Sequence, residues 1–203
     1  MQYPFEIGLL RLDLLLEALA GTISLMISHK ARVAFRLTDQ KKLSDLSVGF
    51  LVLSASMYGR VLGTILILEG ILEEPSTPTV IIAYATMRAM AYLLFGLSTL
   101  RLPERSTSLP VTILALPILI SPALDMIAVL ILIVVILQSL LNYLSVRSSY
   151  AALVLVGFTF LLLSHISVLL YSEPLRGYFL SQLFQFIGLA FFFIMTVRAG
   201  RGN

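Results

Sequence analysis

Two arginines lie near the centres of long apolar stretches of the sequence, where a positive charge is costly. Arg60 stands within SVGFLVLSASMYGRVLGTILIL and Arg88 within TVIIAYATMRAMAYLLFGLSTL. A guanidinium at the middle of a lipid-embedded helix costs about 2.5–3.5 kcal/mol on insertion scales, and it cannot lose its proton to escape that cost. Such a residue persists where it faces other helices and meets an anion or water. The first apolar stretch offers two partners, Asp13 and Glu17.

Further polar residues recur at helical spacing and enlarge this set. Tyr84, Arg88 and Tyr92 are each four residues apart, so they share one face of a helix. The last two apolar stretches add a histidine and two glutamines, and all these groups fall in the middle or the outer half of the membrane if the N-terminus is outside. The sequence predicts that nine residues form a cavity or an ion-pair network: Asp13, Glu17, Arg60, Tyr84, Arg88, Tyr92, His165, Gln182 and Gln185.

Two interpretations of this set remain open. In the first, the side chains line a path for a small polar solute or ion, since ionisable groups inside spans commonly mark such paths. In the second, Arg60 and Arg88 pair with the two acids of the first stretch and only fix how the helices pack. Buried ion pairs add little net stability, but they can specify geometry.

The composition places the whole chain in a membrane. Of its 203 residues 59% are hydrophobic and 12% are charged, and the mean hydropathy is +0.99. Soluble domains carry about 25% charged residues, so residues 1–203 are expected to form one integral membrane domain. The net charge is +3, but the positions of the charges along the sequence matter more than their sum and indicate orientation, and no nucleic-acid partner is predicted. The absence of Cys and Trp, with abundant Leu and Ile, is typical of thermophiles.

Six stretches are long enough to cross the hydrocarbon, which takes about 20 apolar residues. A seventh, the Pro-rich stretch 109–122, is short and either spans or re-enters. Lys and Arg are retained on the cytoplasmic side of membrane proteins. Seven spans with the N-terminus outside and the C-terminus in the cytoplasm place ten cations inside and one, Arg176, outside. The predicted fold is therefore an all-α, polytopic helical bundle of the cell membrane, with spans near 6–28, 46–69, 78–100, 109–122, 124–146, 150–172 and 178–198.

Short matches between the two halves predict a 3+1+3 tandem repeat. Val48-Gly49-Phe50 recurs as Val156-Gly157-Phe158, and Leu12-Asp13 recurs as Leu124-Asp125. The candidate halves are 1–105 and 123–203, with 109–122 as a linker span. An axis along the membrane normal would relate them. The layout is similar to that of small sugar transporters with parallel repeats, although their proline-glutamine motif is missing here.

The basic segment RVAFRLTDQKKLSDLSVGF carries a second resemblance. It resembles a pattern of uncharacterised archaeal multi-pass proteins, in which a helix ends in A-[FY]-R-x-T before a charged turn. This resemblance implies a multi-pass membrane protein and no known activity.

The sequence offers no constellation for catalysis. It contains no Cys, no H-E-x-x-H and no G-x-S-x-G motif. Its two histidines, His29 and His165, fall at opposite depths and do not suit a haem. We predict no enzyme activity, no metal and no cofactor. The expected function is transport or translocation of a polar solute or ion, and the alternatives are an accessory or scaffolding subunit and a sensory unit. Expected partners are the lipid bilayer, the solute, and a membrane protein or a second copy.

Overall fold

Six α-helices make up nearly all of the chain that the computed structural model describes, which confirms the all-α class for these residues. The described residues are 4–39, 41–71, 77–99, 121–170 and 174–199. The helices are α1 (Pro4–Thr38), α2 (Lys41–Leu68), α3 (Thr77–Thr99), α4 (Ser121–Val146), α5 (Ser149–Leu170) and α6 (Pro174–Ala199).

Five of these helices contain segments that are long and apolar enough to cross a membrane. In α3 the corresponding apolar stretch, Ile82–Ser98, is shorter. Large apolar side chains cover much of the outer surface, as expected where helices face hydrocarbon. These features indicate a helical membrane bundle, and its five long segments are Arg11–Leu37, Leu43–Leu68, Asp125–Val146, Ser149–Leu170 and Gly177–Arg198.

The charged segment after the first predicted span is helical. The spans predicted near 6–28 and 46–69 leave a connecting segment between them, but α1 continues to Thr38 and α2 already begins at Lys41. Charge marks the edge of the hydrocarbon but does not end a helix, and the segment contains no Pro or Gly that would stop it. Asp39 ends α1 with a left-handed backbone (φ 53°), and its N–H donates to the Phe35 carbonyl at 2.8 Å.

The helices pack in a closed ring in chain order, and α6 returns to pack on α1. Helices α1 and α2 are antiparallel, because the Ser47 hydroxyl donates to the Ser28 carbonyl and the Ser54 hydroxyl to the Gly21 carbonyl. Residues later in α2 therefore lie beside residues earlier in α1, and the start of α1 contacts the end of α2.

Helices α3 and α4, by contrast, run in the same direction. Near the start of α4, Asp125 contacts His165, which in turn contacts Tyr92 of α3. One turn further along α3, Gly96 lies against Val135, ten residues further along α4. The end of α3 and the start of α4 are therefore on opposite sides of the bundle.

The predicted linker span falls between these two parallel helices. Residues 109–122 lie outside the described residues, apart from Ser121 and Pro122, which begin α4. The number of seven spans therefore stays a prediction.

Four phenylalanines from four helices meet at the centre of the ring, and we call them the aromatic square. Phe50 of α2 and Phe95 of α3 have ring centroids 4.6 Å apart, and Phe158 of α5 and Phe192 of α6 are 4.8 Å apart. The two cross distances are 5.3 Å for Phe50–Phe192 and 5.7 Å for Phe95–Phe158. All four are at most 1% exposed, so the rings close the middle of the bundle.

Glycines allow the helices around the square to approach closely. A Cβ atom on Gly49 would lie 2.6 Å from the Phe95 ring, and one on Gly157 would lie 2.7 Å from the Phe192 ring. At Gly188 the neighbouring atom belongs to the backbone, because a Cβ there would lie 2.9 Å from the carbonyl oxygen of Gly157. Backbone cannot move aside without separating α5 from α6.

We expect Gly188→Ala to lower the free energy of unfolding by about 1–3 kcal/mol, the usual cost of overpacking. The matched control is Gly59→Ala, because nothing lies within 4 Å of the Cβ position there. Alanine favours a helix over glycine by up to about 1 kcal/mol, so this control should be neutral or stabilising. Unfolding in sodium dodecyl sulfate, followed by circular dichroism, measures both; equal stabilities would contradict the close approach.

The local geometry of α1–α2 recurs 108 residues later in α4–α5. Arg147 ends α4 as Asp39 ends α1, with φ 50° and its N–H donating to the Tyr143 carbonyl at 2.7 Å. Ser56 and Ser164 both donate to the carbonyl of the leucine three residues earlier. At this spacing Glu17 corresponds to Asp125. The sequence match of Leu12-Asp13 with Leu124-Asp125 has a spacing of 112 residues instead of 108.

Candidate functional site

Eleven polar side chains, drawn from all six helices, lie on one side of the aromatic square, and we call them the polar cluster. Eight of the eleven side chains are buried, and the other three, Arg60, Asp125 and Tyr178, are partly exposed. The cluster contains all nine predicted residues and two more: Asp13 and Glu17 on α1, Arg60 on α2, Tyr84, Arg88 and Tyr92 on α3, Asp125 on α4, His165 on α5, and Tyr178, Gln182 and Gln185 on α6.

Arg60 holds both acids of α1. Its Nη2 donates to Asp13 Oδ2 at 2.7 Å, and its Nη1 forms an ion pair with Glu17 Oε2. The Tyr178 ring lies 4.3 Å from the guanidinium carbon and adds a cation–π contact. The Glu17 side chain is fully buried, whereas that of Arg60 is 14% exposed. We call Asp13, Glu17 and Arg60 the ion triad. It joins α1 to α2 and pairs two carboxylates with one cation.

Arg88 has a different environment. It is 5% exposed, and within the described part of the chain it forms no ion pair. Its guanidinium carbon lies 4.7 Å from the centroid of the Tyr84 ring, and that ring is also 5.6 Å from the guanidinium carbon of Arg60. Both guanidiniums therefore lie against one aromatic ring, but among the described residues only Arg60 has a carboxylate partner.

The free nitrogens of Arg88 define one edge of its guanidinium. Nε and Nη2 are buried, and neither has a hydrogen-bond partner among the described residues. These two neighbouring donors form the fork that matches the two oxygens of a carboxylate or a phosphate. A buried donor left without a partner costs about 1–3 kcal/mol, and more when it is charged. Arg88 thus presents an unused two-point donor to the interior.

His165 links α4 to α3 through a chain of hydrogen bonds. Its Nδ1 lies 3.0 Å from Asp125 Oδ1, and its Nε2 lies 3.0 Å from the Tyr92 hydroxyl. The rings of Tyr92 and His165 meet edge to face at 5.2 Å. The Asp125 side chain is 23% exposed, whereas His165 and Tyr92 are buried. The chain therefore leads from a partly exposed carboxylate into the interior.

The sequence did not predict two members of the cluster, Asp125 and Tyr178. Asp125 lies at the start of its apolar stretch, where an acid looks like an ordinary surface residue. Tyr178 stands four residues before Gln182 and seven before Gln185, which is the spacing of one helix face. That spacing could have identified Tyr178.

Other buried polar atoms of the cluster also have no partner among the described residues. They include one carboxylate oxygen on each acid of α1, the Tyr84 hydroxyl, and both amide atoms of Gln185. Within the described ranges no three His, Asp or Glu side chains converge closely enough to hold a metal ion. The cluster therefore contains buried donors and acceptors whose hydrogen bonds are not satisfied by the described residues.

The aromatic square closes the bundle on one side of the cluster. Seven residues, about two helical turns or 10 Å, return to the same helix face. Three helices use this spacing to place one polar residue two turns from one ring of the square, on the same helix face: Arg88 and Phe95 on α3, His165 and Phe158 on α5, and Gln185 and Phe192 on α6.

A cavity of about 340 Å³ lies at the far end of α1 and α2, beyond the square. Two exposed arginines, four residues apart, give it a basic wall. It is separate from the polar cluster and is lined by Arg32, Phe35, Arg36, Ser44, Ser47 and Val48.

Comparison with known proteins does not assign this chain to a family. No family model matches the sequence, and no curated protein or solved structure is significantly similar to it. The function must therefore be inferred from the polar cluster and the helices that hold it.

Proposed function

We propose that this protein binds a small polar solute or ion in the polar cluster and moves it across the membrane. The observation that carries the proposal is Arg88, a buried guanidinium with two free donors and no ion pair in the described part of the chain. A charge at this depth is costly, and it is commonly retained to bind a substrate or an ion. The adjacent aromatic square supplies the barrier that alternating access needs.

The proposal includes seven spans in the cell membrane, with the N-terminus outside and the C-terminus in the cytoplasm. The parallel direction of α3 and α4 supports this number of spans, since we expect a chain that leaves one and enters the other to cross the bilayer between them. The two basic ends of α1–α2 and α4–α5 then lie together on the cytoplasmic side. A 3+1+3 tandem repeat is supported by the matching turns at Asp39 and Arg147 and by the paired distances within the aromatic square.

Cysteine labelling tests this topology, since the chain contains no Cys. Single substitutions at three exposed positions, Lys41→Cys, Glu69→Cys and Ser149→Cys, report the ends of α2 and the start of α5. We expect an impermeant maleimide to label Glu69→Cys in intact cells, and the other two only after permeabilisation. An even number of spans would place Lys41→Cys and Ser149→Cys on opposite sides, and that result would overturn the topology.

Replacing Arg88 tests the proposed function. A panel of small polar solutes is screened for raising the unfolding temperature of the purified protein, and those that do so are assayed for uptake into proteoliposomes. We expect Arg88→Leu to weaken solute binding about 10- to 100-fold, because a charge-assisted hydrogen bond contributes about 1.5–3 kcal/mol. Arg32→Gln, at the far end of α1, is the matched control and should leave uptake unchanged. Equal uptake by wild type and Arg88→Leu would contradict the proposal.

The ion triad favours a second candidate, an accessory or scaffolding subunit of a larger membrane complex. Arg60 already forms ion pairs with both acids of α1, as expected of residues whose role is to hold two helices together. In that case the protein should co-purify with a partner in fixed proportion from native membranes. Purification as an uncomplexed protein that still transports a solute would exclude this alternative.

A further inference from the structure

The free groups of the polar cluster have both signs, and they lie on different helices. On α1, Asp13 Oδ1 and Glu17 Oε1 are buried and without a partner among the described residues, although the other oxygen of each acid is held by Arg60. On α3, the free groups are the Nε and Nη2 donors of Arg88. The helices thus present acceptors on one side and donors on another.

The Tyr84 ring places these two sides near each other. It lies 5.6 Å from the guanidinium of Arg60, which holds the acids, and 4.7 Å from the guanidinium of Arg88. Its own hydroxyl is buried and has no partner among the described residues. On α6, Gln185 adds an amide that can donate and accept hydrogen bonds. It lies two turns before Phe192 of the aromatic square, just as Arg88 lies two turns before Phe95 on α3.

The charge of the cluster discriminates among ligand classes. Asp13, Glu17 and Asp125 carry three negative charges and the two arginines carry two positive ones, so the formal sum is −1 with His165 neutral and zero with it protonated. A simple anion at Arg88 would add negative charge beside the two acids. A simple cation at the acids would leave the Arg88 fork unfilled and add a repelling charge to it. Neither class satisfies both sides in a medium of low dielectric constant.

We propose that the ligand is a small zwitterion with one ammonium and one carboxylate group. The Arg88 fork binds the carboxylate through two hydrogen bonds, and the free oxygens of Asp13 and Glu17 accept from the ammonium. Such a ligand satisfies both sets of free groups and leaves the charge sum unchanged. This inference rests on the proposed function and names its substrate class.

A homologous series of ω-amino acids tests the inference. Glycine, 3-aminopropanoate, 4-aminobutanoate and 6-aminohexanoate carry the same two groups at increasing separation. Sodium acetate, sodium butanoate and butylammonium chloride are the one-charge controls, at equal ionic strength. We expect at least one amino acid to raise the unfolding temperature of the wild-type protein by about 3–6 °C at ten times its dissociation constant, and the controls to have no effect. The most effective length then reports the distance between the two sides.

Two conservative variants keep the test valid if bulkier changes prevent folding. Arg88→Lys retains the positive charge but loses the two-point fork, and Glu17→Gln retains the shape but loses the negative charge. Each should abolish the shift caused by the effective amino acid, while Arg32→Gln should preserve it. An unchanged shift in Arg88→Lys would overturn the assignment of the carboxylate to Arg88.

The outcomes separate this inference from the proposed function. If carboxylates alone, or ammonium alone, stabilise the protein, the ligand is not a zwitterion, but solute binding in the cluster stands. If uncharged polar solutes alone stabilise it, the same conclusion holds. If no solute of any class stabilises the protein, both the zwitterion and the proposed function are overturned.

Discussion

Replacing Arg60 with leucine is expected to lower the free energy of unfolding by about 3–5 kcal/mol, the cost of breaking a buried ion pair by removing one partner. Asp13 and Glu17 would lose their only ion-pair partner within the described part of the chain while staying buried. The 14% exposure of Arg60 moderates the effect, because the acids can recover some water when the side chain is lost. Unfolding in mixed micelles of sodium dodecyl sulfate, followed by circular dichroism, measures the change.

The control removes all three charges together. The triple variant Asp13→Asn, Glu17→Gln, Arg60→Leu leaves no unpaired charge in the triad, so it should recover a large part of the lost stability. Non-additivity of this size is expected for residues in one network. A single Arg60→Leu variant within about 1 kcal/mol of wild type would show that the triad is not a strut.

Replacing Phe158 with alanine is expected to lower the free energy of unfolding by about 3–5 kcal/mol, the range for deleting a buried phenyl ring. The ring is 1% exposed and lies within 6 Å of both Phe95 and Phe192, so its loss leaves a cavity at the centre of the bundle. The same change should make proteoliposomes leak the transported solute, because it opens one side of the aromatic square.

The matched control for this variant faces outwards. Leu130 of α4 is 64% exposed, and Leu130→Ala removes a side chain that has few neighbours within the protein. It should change stability by less than about 1 kcal/mol and cause no leak. If Phe158→Ala leaks no more than Leu130→Ala, the square is a packing element and not a barrier.

The sequence predicts the helical class and nine of the eleven residues of the polar cluster, because both follow from one-dimensional patterns. Long apolar stretches give the helices, and steps of four residues give the shared face of Tyr84, Arg88 and Tyr92. The predicted spans 6–28 and 46–69 do not give the helix ends at Thr38 and Lys41, because hydropathy reports where the hydrocarbon ends and carries no signal for where a helix ends. The cap at Asp39 is a backbone feature that charge patterns do not reveal.

The pairing of charges could not be predicted, because two acids and two arginines allow several combinations. Only the antiparallel register of α1 and α2 brings Asp13 and Glu17 to Arg60 and leaves Arg88 without an ion pair among the described residues. The contact of Asp125 with His165 depends on α4 and α5 in the same way. Register is a three-dimensional property, which a Leu-rich sequence specifies only weakly.

The ion triad also bears on how the chain is made. As α1 leaves the ribosome, its two buried acids have no cation on their own helix face, and each would cost about 2.5–3.5 kcal/mol at the centre of the bilayer. Arg60 is synthesised more than forty residues after them. We therefore expect α1 to remain in the translocon until α2 has emerged, so that the two helices partition into lipid as one neutralised hairpin.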